Sequence, residues 1–467
     1  MLFNSLIFLI FLPCVFTTYW LLPAKHRNLF LLIASYYFYF SYNPWFLLLL
    51  IGTSGLDFYL AKAISRTETP AKRKAYLTLS IVSNIGVLFI FKYFVFFYNT
   101  GLSIFSNQPH LLSHFIIPAG LSFYTFQSIS YTIDIYRRKY KSDDTLKDFL
   151  LYVSFFPHMV AGPIVRHHTL MPQLKTVHFF KQIEWGPATK MIIWGFFKKM
   201  VIADNLAYLV NPVFNDLPVD FNSLEFIAIG VLFLIQLYAD FSGYSDIAIG
   251  AAKLFKINLS LNWNRPLLSK SVTEYWQRHH ISLTSWFKDY VYFSIGGNRV
   301  STPKWVLNIL IVFLLSGLWH GANFTFVIWG LLNGLFYLLE HIPLKKRFKL
   351  PGILRWFYTL FFISIFFIAF RANDMQDLLF IYKQIFVNFD VDGGLKHLTG
   401  LNDRLFFMMV LAMLLLLFLK EIQEEYVLLK TSSFKENILT PAFYITMLCL
   451  IFAFGNFNAN SFIYFQF

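Results

Sequence analysis

The sequence is poor in cysteine and in charged residues. Its 467 residues include two cysteines, and only 14% of the residues are charged. Cys14 and Cys449 both lie in apolar runs, which argues against a disulfide framework and against a thiolate metal site. The GxSxG, HExxH, P-loop and GxGxxG motifs are all absent, so neither a covalent serine mechanism nor a nucleotide fold has support, and no bound metal is expected.

Apolar residues dominate what is present. Hydrophobic residues make up 57% of the chain, aromatic residues 20%, and the mean hydropathy is +0.56. Apolar runs long enough to cross a bilayer recur from end to end, beginning with a retained first span at residues 6–22. The sequence therefore predicts an all-α polytopic integral membrane protein, a single membrane domain over residues 1–467 with roughly 11–12 transmembrane helices.

The net charge of +14 is distributed over short loops. Basic residues cluster at 25–27, 62–74, 137–141 and 345–349, so the positive-inside rule places these loops in the cytoplasm. The segment 374–403 leans acidic, as expected for the outer side. Because no continuous basic face results, we expect contacts with anionic membrane lipids and no nucleic-acid partner.

Two segments do not fit simple spans. Residues 149–160 are apolar but short, and residues 238–295 mix charged residues with Trp, Phe and Tyr. Charged groups at membrane depth must face protein or a water-filled cavity, so re-entrant or interfacial helices are expected there. We find no internal repeat of the transporter type, which weakens a transporter or flippase as a remote alternative.

His320 lies in the otherwise apolar run SGLWHGAN at residues 316–323. A titratable imidazole is costly in such a run and is usually retained for function. A neutral imidazole can accept the proton of an attacking hydroxyl, and the glycines permit a ligand to approach or the helix to break. Trp319 and Asn323 are candidates for contacts with the substrate that donates the transferred group or with the substrate that accepts it. The alternative is a hydrogen-bonded structural histidine between packed helices.

His280 is the second candidate histidine. Residues 276–288 read as one amphipathic helix that carries Trp276 and His280, with function and packing equally favoured for the imidazole. Arg278 is a further candidate for site contacts. His279, the neighbouring residue, is expected to face solvent or lipid headgroups.

Two carboxylates, Asp240 and Asp246, surround a Ser-Gly step in residues 238–246. They are predicted either to orient an imidazole or to pair with Arg265 or Arg278, the pairing being somewhat favoured.

Several basic residues are candidates for binding the phosphates of an acyl donor. Asn298 and Arg299 end a glycine turn that either holds a phosphate or closes a loop. Arg166 either contacts donor phosphates or anchors to headgroups, and Lys198 and Lys199 have the same two interpretations.

Taken together, these stretches resemble the membrane-bound O-acyltransferase (MBOAT) family, in particular its bacterial alginate O-acetylation branch. The resemblance covers roughly residues 1–345. The matching stretches are 118–127 with 136–137, 160–166, 194–199 with 203–204, 238–250, 274–289, 296–299 and 317–323. It implies the MBOAT fold, a helical ring around a central tunnel, with the core at about 115–345 and C-terminal helices at about 350–467.

The resemblance also implies roles. The family's catalytic histidine of the Trp-His-Gly motif falls on His320, and His280 matches a second active-site histidine. His279 departs from the branch, which usually carries an aromatic residue there.

The expected function is O-acyl transfer in the bacterial inner membrane. Acetyl-CoA is the expected donor substrate, an extracytoplasmic polysaccharide such as alginate or peptidoglycan the expected acceptor, and a periplasmic SGNH-type acetyltransferase the expected partner. The nearest alternative is a D-alanyl transferase for teichoic acid that takes its acyl group from a carrier protein.

Overall fold

The computed structural model describes residues 1–105, 112, 115–341, 351–400, 404–426, 433–457 and 462–463. For residues 103–105 and 433–439 it describes the backbone alone. The basic cluster Lys345, Lys346, Arg347 and Lys349 lies outside the described residues. The part of the chain that the structure describes is helical and contains no β-strand.

The chain divides into two compact units. The first comprises residues 1–192 and 245–261, and the second comprises 193–244 and 262–467. Helices α10 (Trp185–Phe196) and α12 (Ser223–Leu254) contribute residues to both. The prediction of a single membrane domain stays a prediction.

In the part of the first unit that the structure describes there are nine further helices and two short irregular turns. The helices are α1 (Leu6–Leu21), α2 (Ala24–Phe40), α3 (Pro44–Arg66), α4 (Pro70–Leu88), α5 (Phe94–Phe105), α6 (Leu121–Tyr136), α7 (Leu146–Ser154), α8 (Phe156–Met159) and α9 (His167–Lys175). A π-helical turn spans Phe89–Tyr93 and a 3₁₀ turn spans Phe180–Gln182.

The second unit contains the remaining helices. They are α11 (Asp204–Asn215), α13 (Val272–Arg278), α14 (Ile281–Phe287), α15 (Thr302–His320), α16 (Phe324–His341), α17 (Gly352–Arg371), α18 (Met375–Phe386), α19 (Lys396–Gly400), α20 (Arg404–Tyr426) and α21 (Ser433–Phe454). Irregular helical turns span Phe197–Ala203 and Lys288–Tyr292, both π-helical, and Pro266–Leu268.

Seven of the described helices are long and apolar enough to cross a membrane. They are Pro44–Arg66, Pro70–Leu102, Ser223–Leu254, Thr302–His320, Phe324–His341, Gly352–Arg371 and Arg404–Tyr426. Two shorter apolar helices cover Leu6–Leu21 and Thr440–Phe454. The multi-pass helical architecture expected from the hydropathy is thus confirmed, while the count of 11–12 crossings stays a prediction.

Candidate active site

His320 is the last residue of α15, where the helix stops inside the protein. Gly321 follows in an extended conformation at φ −160°. The imidazole is 3% exposed and is surrounded by the rings of Trp319, Trp329 and Phe370, at centroid distances of 4.8, 5.0 and 5.1 Å.

The glycines near His320 allow α15 and α16 to touch backbone to backbone. A Cβ atom on Gly317 would lie 2.3 Å from the carbonyl oxygen of Phe326, and one on Gly330 would lie 2.4 Å from that of Phe313. Small residues permit such close approach between membrane helices. The element that approaches Gly317 in the structure is therefore helix α16. The contact between the two helices holds His320 against Trp329.

His280 lies in a break between two short helices. The predicted continuous helix over 276–288 is wrong, because α13 ends at Arg278 and α14 begins at Ile281. His280 has a φ of +45°, a left-handed conformation that costs free energy for a non-glycine residue. The break is held by the amide of Ile281, which donates to the carbonyl oxygen of Asn262 at 2.8 Å.

The side chain of Asn262 orients the His280 ring. Its Oδ1 atom accepts hydrogen bonds from the Ser282 amide at 3.1 Å and the Ser282 hydroxyl at 2.8 Å. The same oxygen lies 3.2 Å from Nδ1 of His280. Since an amide oxygen only accepts, Nδ1 must carry the proton, and the lone pair of the neutral ring is then on Nε2.

The indole of Trp319 lies near the rings of both histidines. Its centroid is 6.1 Å from the His280 ring and 4.8 Å from the His320 ring. Phe241 and Trp263 contact the other sides of His280 at 4.6 and 5.9 Å. The structure thus brings both predicted histidines and Trp319 into one buried aromatic cluster.

His279 is buried in the same cluster, and the expectation that it faces solvent or headgroups is wrong. The side chain is 2% exposed and packs against Trp263 and Tyr275, at 4.5 and 4.8 Å. The expectation assumed a continuous helix through His279, but α13 ends at Arg278. Trp276 lies beside it, donates to Oδ1 of Asn333 at 3.2 Å, and contacts the ring of Trp329 at 5.5 Å.

Arg278 belongs to an ion-pair network at the C-terminal end of α13. Its guanidinium lies 2.7 Å from both Glu274 and Glu425, and Arg265 lies 2.9 Å from Glu425. The hydrogen bond that Arg278 donates to Glu425, together with the charge of Glu274, raises the pKa of Arg278. Asp240 is paired elsewhere, so the favoured pairing of this carboxylate with Arg265 or Arg278 is not what the structure contains.

Lys199 forms a buried ion triad with Asp204 and Asp240. The ammonium is 2.9 Å from Asp204 and 2.7 Å from Asp240, and the amide of Ile463 donates to the other oxygen of Asp240 at 2.7 Å. The π-helical turn Phe197–Ala203 carries both lysines.

Lys198, the neighbouring lysine, is also buried. Its ammonium lies over the rings of Trp194 and Tyr238 at 5.9 and 5.6 Å. Tyr238 in turn hydrogen-bonds to the buried carboxylate of Glu421.

A polar cavity of about 310 Å³ lies along α11 in the second unit. The Lys199 triad lies at its buried end, while Tyr208, Pro212 and Asn215 at its other end are exposed.

The remaining predicted residues are Asn298, Arg299, Asn323, Arg166 and Asp246. Asn298 and Arg299 are exposed in the turn that precedes α15, a helix that rises about 27 Å from Thr302 to His320 at 1.5 Å per residue. Asn323 caps the start of α16 and donates to the carbonyl oxygen of Asn373 at 2.8 Å. Arg166 and Asp246 belong to the first unit.

Sequence reasoning missed two polar residues that support the site, Asn262 and Arg371. Arg371 is buried at the end of α17, where its guanidinium lies 3.2 Å from Oδ1 of Asn215 and 3.4 Å from Oδ1 of Asn373. An arginine directly after the apolar run 352–370 was the available signal. No such signal existed for Asn262, because its partners His280 and Ser282 lie 18 and 20 residues away.

Among the described residues, no group of three or more His, Cys, Asp or Glu side chains is arranged to hold a metal ion.

Comparison with known proteins places these residues in a family. Residues 140–372 match the model of MBOAT, the membrane-bound O-acyltransferase family. The chain is 38% identical to the Probable alginate O-acetylase AlgI of Pseudomonas aeruginosa, covering 83% of this chain and 75% of that protein. It is 35% identical to the Peptidoglycan O-acetyltransferase of Helicobacter pylori, covering 82% and 79%.

A more distant similarity links the chain to the Teichoic acid D-alanyltransferase of Bacillus subtilis. The two are 27% identical over 53% of this chain and 66% of that protein. With an all-helical multi-pass architecture and close relatives over most of its length, the protein is a membrane O-acyltransferase that belongs to the MBOAT family.

Proposed function

We propose that this protein transfers acetyl groups from cytoplasmic acetyl-CoA to an extracytoplasmic polysaccharide across the bacterial inner membrane. The relatives named for alginate and peptidoglycan O-acetylation support an acetyl group and a glycan acceptor of one of these two types. A separate exported partner of the SGNH-hydrolase kind completes the transfer onto sugar.

His320 carries this proposal as the general base. It lies at the C-terminal end of α15, buried among aromatic rings, and it is the histidine of the Trp-His-Gly motif. The neutral ring accepts the proton of the attacking hydroxyl as that oxygen bonds to the acyl carbon and the thiolate of coenzyme A leaves.

His280 is the second residue of the proposed site. The hydrogen bond to Asn262 assigns the proton to Nδ1 and leaves Nε2 as the acceptor, and the ring lies near Trp319, which also contacts His320. A fixed tautomer on a strained backbone supports a role in holding the reacting groups.

The donor is tested by supplying purified protein in nanodiscs with two acyl sources. Radiolabelled acetyl-CoA and a D-alanyl carrier protein are offered in parallel, and release of the acyl group is measured. Turnover of acetyl-CoA is the expected result. Turnover of the carrier protein alone would replace this proposal by D-alanyl transfer, the function named for the more distant relatives.

A further inference from the structure

The cavity along α11 is a polar site separate from the two histidines. Its lining includes Lys199, Gln236 and Asp240 at the buried end and Asn211 and Asn215 towards the exposed end. The lining residues do not include His280 or His320.

Gln236 marks the cavity as a place for a hydrogen-bonding ligand. This residue of α12 is 6% exposed, and its Oε1 atom has no hydrogen-bond partner among the described residues. A buried amide oxygen without a donor costs roughly 1–3 kcal/mol. A ligand hydroxyl that donates to Oε1 removes that cost.

The charges at the buried end select the kind of ligand. One ammonium and two carboxylates, those of Lys199, Asp204 and Asp240, leave a net negative end that repels phosphate groups. Carboxylate oxygens accept from hydroxyls, and the amides of Asn211 and Asn215 both donate and accept. These groups complement a ligand that carries several hydroxyls.

The size of the cavity and the residues at its exposed end also favour a ligand with several hydroxyls. A volume of about 310 Å³ is at the lower limit of ligand pockets, which run from roughly 300 to 1,000 Å³, and suits a single ring. The ring of Tyr208 at the exposed end offers an apolar face with a polar tip. Arg371 holds the exposed end in shape through its hydrogen bond to Asn215.

We propose that this cavity binds one sugar unit of the acceptor polysaccharide. The inference rests on the proposed function and adds that the glycan is held by this chain as well as by the exported partner. It also separates the two substrates, because a phosphate-rich coenzyme A is repelled by the buried end of the cavity.

The test is direct binding of oligosaccharides to the full chain in nanodiscs. Fragments released from alginate and from peptidoglycan are titrated against wild type, Gln236→Leu and Asn211→Leu by calorimetry. Ser242→Ala is the matched control, because its buried hydroxyl is also without a partner among the described residues but lies on α12 outside the cavity lining. Asn211 is half-buried, so its variant keeps the test usable if Gln236→Leu does not fold.

Wild type and Ser242→Ala are expected to bind one of the two fragments with equal affinity. Loss of one hydrogen bond to a buried partner weakens binding about tenfold in each cavity variant. Unchanged affinity in both folded variants, or no binding by wild type, would overturn the proposal and leave a water-filled cavity. Acetyl-CoA turnover by wild type is measured in parallel and reports separately on the proposed function. Sugar binding without turnover would contradict acetyl-CoA as the donor but would support the sugar site in the cavity.

Discussion

Replacing Gly317 by alanine tests how tightly the site depends on the contact between α15 and α16. The new Cβ atom would lie 2.3 Å from the carbonyl oxygen of Phe326, and real Cβ atoms essentially never come within 3.0 Å of another heavy atom. The helices must therefore separate by about 0.7 Å at this point. Overpacking costs about 1–3 kcal/mol, which exceeds the gain of up to about 1 kcal/mol from replacing a helical glycine.

The expected consequence is larger for activity than for stability. His320 lies three residues after Gly317 on the same helix, so a displacement of this size moves the imidazole relative to Trp329 on α16. A misplacement near 1 Å costs up to about 100-fold in rate. We expect acetyl release in nanodiscs to fall by tenfold or more, with a modestly lower temperature of thermal unfolding.

Gly86→Ala is the matched control for this change. Gly86 is also inside a long apolar helix, but a Cβ atom there meets nothing within 4 Å. This variant should keep wild-type activity and gain slightly in stability from the better helix propensity. Wild-type activity and stability in Gly317→Ala would refute the argument that backbone contact between the helices positions His320.

Two further changes test the polar supports of the site. Asn262→Asp keeps the acceptor for Nδ1 of His280 but adds a negative charge, which favours imidazolium. The acid limb of the pH–rate profile should therefore move to higher pH, and an unmoved limb in the folded variant would contradict the contact between residue 262 and the His280 ring. Lys199→Met removes the ammonium that pairs with the buried carboxylates of Asp204 and Asp240. We expect a loss of roughly 3–5 kcal/mol in stability, visible as a much lower unfolding temperature. Wild-type thermal stability in this variant would contradict the ion triad.

The membrane architecture could be predicted from the sequence, and the details of the break at His280 could not. Hydropathy is a local property, so the apolar runs alone indicated a multi-pass helical protein. His320 was identifiable because a lone imidazole in an apolar run is unusual and because its motif resembles a family motif.

The break between α13 and α14 depends instead on contacts that are distant in sequence. The 276–288 pattern has helical periodicity, but the amide of Ile281 and the ring of His280 bond to Asn262 in a preceding loop. Arg278 pairs with Glu425, a residue 147 positions away. No local pattern reports such partners, and tertiary contacts override the helical preference.

The central claim is that His320 performs the chemistry of acyl transfer. The most direct measurement is acetyl release from radiolabelled acetyl-CoA by purified protein in nanodiscs, for wild type, His320→Ala and His341→Ala. His341 is an exposed histidine at the end of α16 and controls for loss of an imidazole as such. We predict that turnover is lost in His320→Ala and retained in His341→Ala, whereas wild-type turnover in a correctly inserted His320→Ala protein would contradict the assignment.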